Sequence, residues 1–251
     1  MKFKEKLLEG RLLQRYKRFF ADVEWKNKTY TIHVANTGSL KGVIDKSLQQ
    51  RCLFSLHGDK TKKLQGSLEA VQTAEGVWVG VNTTRPNRIV QEVVSTGLSK
   101  KKAHFEHWQE YGFYKAECKI SQETRLDGVF VKKAEDLENL KAKKHFIEIK
   151  NTTLLRLIEG KKTAQFPDTV TERGQKHLTE MMKLMKSGHR AELIFTVQRS
   201  DAEVFSVAAD LDPDYAELFK KARAAGLIVT PVVVQVGAEE ISLSKKILQV
   251  V

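Results

Sequence analysis

The chain has 251 residues, enough for one large domain or two small ones. Its 41% hydrophobic and 29% charged composition excludes a disordered polypeptide, and no apolar run has the length of a bilayer span. The first twenty residues scatter charge through every apolar stretch, which does not match a signal peptide, and the cysteines Cys52 and Cys118 are far apart without CxxC spacing. A reducing cytoplasm is the expected compartment. The formal charge of +12 is the informative number, because excess Lys and Arg is the footprint of a polyanion binder. It is unevenly spread: residues 1–90 hold 17 Lys+Arg against 8 Asp+Glu, and residues 91–251 hold 26 against 23. Such asymmetry points to one region that binds phosphate and another that does something else. Adsorption to a membrane surface is disfavoured, since no basic amphipathic helix with a broad apolar face is present.

In chain order, the first ninety residues read as short strands. RLLQRYKRFFADVEW, TYTIHVA, CLFSLHG, SLEAVQT and GVWVGVN are β-rich, with Asn-Lys, Thr-Gly, Gly-Asp and Glu-Gly as turn signals. About five strands in so short a stretch predict a small barrel of the OB type. The Thr83–Asn87 turn changes the character of the chain, so the domains are expected to be 1–86 and 87–251. Ile89, Val90, Val93 and Val94 predict a helix over 87–96 stopped by Gly97. Strands are expected near 116–120, 125–131, 145–150, 191–197, 204–208 and 228–236, and Lys132–Lys144 as a solvated turn. Thr169–Glu172 reads as a capping box opening a helix that runs through Met185 and closes at Gly188. Asp212-Pro213 supplies an N-cap and first-turn proline for a further helix ending at Gly226. Mixed strands and helices in this order predict an α/β second domain around a central sheet.

The chemistry-bearing pattern is Arg125-Leu-Asp-Gly-Val-Phe with Phe146-Ile-Glu-Ile-Lys150. Strand alternation puts Glu148 and Lys150 on one face, and 21 residues separate Asp127 from Glu148, enough for a hairpin to bring them together. An Asp, a Glu and a Lys converging on a sheet face suit Mg²⁺-assisted phosphodiester hydrolysis: hard carboxylates hold the ion and lysine stabilises developing negative charge. A cross-strand ion pair on a half-exposed sheet has the same sequence signature. The apolar flanks favour the site, since charge among apolar strand residues is costly unless paired or liganded.

The sequence as a whole resembles the sugar fermentation stimulation protein A family. The stretches that carry the resemblance are GRLLQRYKRFFADV (10–23), NTGSL (36–40), VGVNTTRPNRIVQE (79–92), RLDGVF (125–130), FIEIKNTTL (146–154), FPDTVTERGQKHLTE (166–180), FTVQRSDAEVF (195–205) and DPDYAELFKKA (212–222). Val34-Ala35 stands where the family usually has Cys-Pro, and Leu40 where Met is common. The resemblance implies an N-terminal OB-like barrel, a C-terminal PD-(D/E)xK nuclease-like domain and DNA binding. It puts Asp127, Glu148 and Lys150 on the nuclease motif, and Glu92 on the further carboxylate that the first helix of such domains often supplies. The expected metal ligands are therefore Glu92, Asp127 and Glu148, with Mg²⁺ or Mn²⁺ as cofactor.

Arg11, Arg15, Lys17 and Arg18 interleave with Tyr16, Phe19 and Phe20 as on single-strand-binding surfaces; the expectation is that the cations bind and the aromatics are mostly buried. Asn36, Thr37, Arg85 and Arg88 are further candidates for phosphate contacts, as are Arg173 and Lys176 at a helix start. His177 could act as a base, but a lone helical histidine is more often structural, so it is left out of the catalytic set. His104 and His107 lack a third ligand, and Met181, Met182 and Met185 sit at core-helix spacing. The leading expectation is a metal-dependent nuclease acting on DNA, with RNA as the other nucleic acid to test. The alternative is a non-catalytic, regulatory DNA-binding protein.

Overall fold

The computed structural model of the protein describes residues 1–45, 47–57 and 64–251. The expected Gly-Asp turn at 58–59 lies outside them.

Strands β1 (Leu8–Tyr16), β2 (Phe20–Trp25), β3 (Lys28–His33), β4 (Arg51–Leu56) and β5 (Gly66–Gln72) form a closed five-stranded barrel. The β1 strand pairs antiparallel with β2 and β4, and the circle closes through a parallel contact of β3 with β5 at His33 and Ser67. A short β6 (Trp78–Gly80) adds to β5. Alternate residues point inward, so Leu12, Val23, Ile32, Phe54, Leu68 and Val71 fill the interior. The stretch RLLQRYKRFFADVEW, expected as one element, is two strands. Lys17 and Arg18 have φ of 45° and 63°, a tight hairpin turn of the kind that matches strand twist. No Gly or Asn marks that turn, and the sequence therefore hid it.

The second domain begins with α1 (Arg85–Lys100) and continues through β7 (Phe113–Lys119), β8 (Arg125–Val131), β9 (His145–Thr152), β10 (Leu154–Ile158) and β11 (Lys161–Phe166). Then come α2 (Glu172–Lys186), β12 (Arg190–Val197), β13 (Val204–Val207), α3 (Pro213–Ala224), β14 (Ile228–Val236), β15 (Ile241–Ile247) and β16 (Gln249–Val250). The main sheet has the order β15-β14-β12-β9-β8-β7, and its three central strands β9, β12 and β14 are parallel. Parallel strands need crossovers, which α2 and α3 supply on one face, while α1 covers the other. A smaller sheet, β10-β11-β13-β16, flanks it; its β10–β11 hairpin, turned at Glu159-Gly160, was not anticipated.

Two helix ends differ from expectation. Gly97 does not stop α1. It lies inside the helix, where a Cβ would come within 3.2 Å of Ala103 Cα and Lys102 O, and Lys101 in left-handed conformation ends the helix instead. The α2 cap is Thr171, whose hydroxyl accepts from Gly174 N, so the capping box read from Thr169 and Glu172 does not form and a simple N-cap two residues later opens the helix. Asp212 caps α3 as expected, accepting from Tyr215 N at 3.0 Å, and the same carboxylate accepts from Thr171 N at 2.8 Å. One buried acid thus ties both helix starts together.

The chain crosses between the domains twice. Before entering the barrel, Met1–Leu7 runs along the second domain, where the Met1 ammonium donates to Ile241 O at 2.7 Å and Phe3 N to Glu239 O at 3.0 Å. The opening residues thus bridge the two domains: their backbone bonds to the second domain, while Leu7 and Phe3 pack with the barrel residues Leu53 and Ala70. After β6 the chain returns through Val81–Thr84, pinned by Thr83 N to Ala35 O at 2.9 Å. Among the described residues, no helix is long and apolar enough to cross a membrane.

Candidate functional site

The site forms where β8 and β9 part. Their ladder pairs Gly128 with Ile147, and the next register position would set Asp127 beside Glu148. There the Asp127 side chain takes over from the backbone: Oδ2 accepts from Ile149 N at 2.7 Å, and Oδ1 accepts from Asn87 Nδ2 of α1 at 2.6 Å. Glu148 and Lys150 share the face of β9 that looks toward α2. Glu148 is only 4% exposed. Its Oε1 accepts from Lys150 Nζ at 2.8 Å and lies 2.5 Å from His177 Nδ1, while the lysine and histidine nitrogens are 3.5 Å apart. Its other oxygen, Oε2, is buried without a hydrogen-bond partner among the described residues, as is the nearby Tyr215 hydroxyl.

These surroundings drive the two carboxyls apart. Burial, then the charge of Glu148, push Asp127 up to about 6 against the donations from Ile149 and Asn87 and the charge of Lys150. Burial opposes ionisation of Glu148 as well, but Lys150 and His177 outweigh it and hold that carboxyl below its ordinary value. Two neighbouring acids with opposed shifts are a mark of functional sites.

Glu92 does not join them. It projects from α1 five residues beyond Asn87, about 140° around the helix at 3.6 residues per turn, and its carboxylate sits 3.5 Å from the Met1 ammonium. The three-carboxylate set expected from the sequence is therefore not assembled: Asn87 occupies the place on the helix that reaches Asp127. Among the described residues no group of three His, Cys, Asp or Glu side chains is arranged to enclose a metal. His177, left out of the expected set, is brought against Glu148 and Lys150. The signal was available, since His177 sits on the buried stripe of α2 with Gly174, Leu178 and Met181, where a polar ring needs a partner. Asn87 carried no comparable signal. The His104/His107 pair is not a ligand pair: His104 bonds Ser244 O and His107 bonds Glu192, each at 3.0 Å.

The basic residues divide in two. Arg15 is a structural tie, its guanidinium donating to the carbonyls of Arg18, Asn36, Gly38 and Ser39. Arg85 forms a two-pronged ion pair with buried Glu69, at 2.5 and 2.8 Å. Asn36 is buried, donates to Val81 O at 2.8 Å and accepts from Gly38 N at 2.8 Å. Lys176 pairs with Glu123, and Arg11 with Glu24. Arg15, Asn36 and Arg85 thus hold loops and the start of α1 in place, whereas the Lys176 and Arg11 pairs lie on the surface and contribute little to stability. Lys17, Arg18, Arg88 and Arg173 are exposed, with no side-chain partner among the described residues, and Thr37 is exposed on the barrel near Lys17 and Arg18. Phe19, expected in the core, is 42% exposed at the tip of the Lys17–Arg18 turn. Next to this tip lies a groove of about 760 Å³ bounded by β1, the Thr37–Ser39 loop and Thr169.

The family models for the "SfsA N-terminal OB domain" and the "Sugar fermentation stimulation protein RE domain" match residues 13–81 and 84–240. A sugar fermentation stimulation protein homolog of Bdellovibrio bacteriovorus is 48% identical over 251 residues, covering 99% of this chain and 98% of its own. A homolog from Pelagibacter ubique is 36% identical over 247 residues, covering 98% of each. The solved structure of Pyrococcus furiosus SfsA in complex with Ca²⁺ matches at a TM-score of 0.80 and 23% identity, over 100% of this chain and 97% of that one. The chain belongs to the sugar fermentation stimulation protein (SfsA) family.

Proposed function

We propose that this protein binds DNA and hydrolyses its phosphodiester bonds at Asp127, Glu148 and Lys150 with Mg²⁺ or Mn²⁺. The observation that carries the reading is Glu148 Oε2, a buried carboxylate oxygen without a partner, next to a second carboxylate and a lysine. An unsatisfied anionic oxygen in that position is costly, and a hard cation satisfies it. Magnesium asks for only one or two carboxylates and completes its shell with water and phosphate, so Asp127 and Glu148 fit it without Glu92. The complex of the Pyrococcus furiosus protein with Ca²⁺, another oxygen-seeking dication, supports the same reading. When bound, the ion would acidify a water and neutralise phosphate charge.

The remaining work falls to this chain. Asn87 and the Ile149 amide fix the Asp127 carboxylate, and His177 fixes that of Glu148. Lys150, 2.8 Å from Glu148 Oε1, stands where it orients the attacking oxygen and stabilises the charge that develops on phosphate. The OB barrel supplies the binding surface, and the exposed Lys17, Arg18 and Thr37 lie beside its groove. Incubating the pure protein with labelled DNA and RNA, each with Mg²⁺, with Mn²⁺ and with chelator, tests the proposal. Cleavage dependent on metal and lost on chelation is the expected result; binding without cleavage under every condition overturns the enzymatic part.

One observation favours the second reading, a non-catalytic DNA-binding protein. Without an ion, both oxygens of Asp127 and one of Glu148 already have protein partners, so much of the cluster is satisfied as a structural network. Binding without cleavage would select it.

A further inference from the structure

A second cavity, of about 360 Å³, lies between the domains and shares Thr37, Gly38 and Thr169 with the barrel groove. On the barrel side, Gly38 allows the close approach of the domains, since a Cβ there would come within 2.7 Å of the Asp168 carboxylate. On the other side β9 runs directly from Lys150 into Asn151 and Thr152, which line the cleft together with Thr153 just beyond the strand. Two or three residues of strand cover about 7–10 Å at roughly 3.3 Å each, the reach of one nucleotide from a phosphate held at Lys150.

The chemistry of the cleft differs from that of the groove. The groove carries Lys17 and Arg18, whereas the cleft is lined by no Lys or Arg among the described residues and by one acid, Asp168. Apolar Leu154, Phe166 and Pro167 face it together with hydroxyls and amides. Three of those polar atoms are buried without a hydrogen-bond partner among the described residues: Asn151 Oδ1, Thr152 Oγ1 and Gln165 Oε1, the last two on residues 1% and 5% exposed. Neutral acceptors beside apolar surface suit a base and its sugar, and the acid disfavours phosphate. A stacked, paired base cannot enter such a cavity.

We propose that the cleft seats one unpaired nucleotide, so that the nucleic acid this protein acts on is a single strand, running from the Lys17–Phe19 tip past Thr37 into the cleft and on to Lys150. The inference rests on the nucleic-acid reading above and adds the substrate class and path.

Thr169→Trp is the test, because Thr169 is exposed at the rim shared by groove and cleft and makes no side-chain hydrogen bond among the described residues. A bulky ring there fills the entrance from outside the core. Binding of a labelled oligothymidylate and of an equal-length blunt duplex is measured by anisotropy in chelator, and 4-thiothymidine in the oligonucleotide maps its path by cross-linking. Expected are tighter binding of the single strand, a loss of about tenfold in Thr169→Trp, the order of one lost base contact, and cross-links in Phe166–Thr171. Equal affinity for the duplex, or unchanged single-strand affinity in Thr169→Trp with cross-links confined to the barrel, overturns this inference and leaves nucleic-acid binding standing. No binding of either by the wild type overturns nucleic-acid binding itself.

Discussion

Asp127→Asn should make the metal-free protein more stable at alkaline pH, although it removes a proposed ligand. In the folded state Asp127 is pushed up to about 6 from an ordinary 3.8, burial being the largest cause. Between those values the folded chain binds more protons than the unfolded one, so stability falls as pH rises through the window. Above pH 6 the cost is complete. At about 1.4 kcal/mol per unit, two units give about 3 kcal/mol; the partial exposure of Asp127 brings the figure nearer 2 kcal/mol. Asparagine never carries that charge. Its carbonyl can accept from Ile149 N as Oδ2 does, and Asn87 need only turn its amide to present oxygen in place of nitrogen. The variant should therefore melt about 4–8 °C above wild type at pH 8 in chelator, with the gap closing below pH 4. Adding Mg²⁺ should raise the melting temperature of wild type alone, since only a bound state is stabilised by ligand. Thermal melts at pH 4, 6 and 8, with and without Mg²⁺, measure both effects. A variant less stable than wild type at pH 8, or a gap of equal size at pH 4 and pH 8, refutes the reasoning.

Lys150→Met should keep Mg²⁺ binding, since it removes a cation that competes for Glu148 Oε1, while cleavage falls by roughly two to three orders of magnitude; calorimetry beside a cleavage assay separates the two. Glu92→Gln should leave Mg²⁺ affinity and cleavage at wild-type levels, because Glu92 faces the Met1 ammonium; a loss of metal binding in the same titration would return it to the site. Lys17→Glu with Arg18→Glu should weaken DNA binding at unchanged melting temperature. Arg15→Gln should instead lower the melting temperature by removing the donor to four backbone carbonyls, and salt-dependent binding curves beside thermal melts distinguish the two outcomes.

What could be read from the sequence follows from where the physics is local. The long apolar strand Ile228–Val236 has the bounds expected of it, and Asp212-Pro213 opens α3, because a buried strand and a capped helix start are written in neighbouring residues. The shared face of Glu148 and Lys150 follows from strand alternation, and the antiparallel pairing of β8 with β9 from the hairpin-length connection between them. The turn at Lys17–Arg18 was hidden because two ordinary L residues hold positive φ there. The β10–β11 hairpin was missed because Arg156, Lys161 and Lys162 interrupt any clean alternation. Gly97 misled in the opposite sense: a glycine that ends a helix and one that makes room for a neighbouring chain look alike in sequence.

The basic residues teach a further point about charge. The excess of cations in residues 1–90 is real, yet Arg11, Arg15 and Arg85 spend their donors on Glu24, on loop carbonyls and on Glu69. The guanidinium fork is suited to this, since several fixed N–H groups can satisfy converging carbonyls or both oxygens of a carboxylate. Arg15 and Arg85 hold the Asn36–Ser39 loop and the start of α1, and the loop residues Asn36, Thr37 and Gly38 line the cleft together with Thr83, which precedes the helix. On the proposed nucleic-acid reading these two arginines shape the surface, while Lys17 and Arg18, exposed on a turn and with side chains free of partners among the described residues, are the cations that would meet phosphate. Net charge alone could not separate these roles, because a cation that anchors a loop and one that awaits a phosphate add equally to the sum.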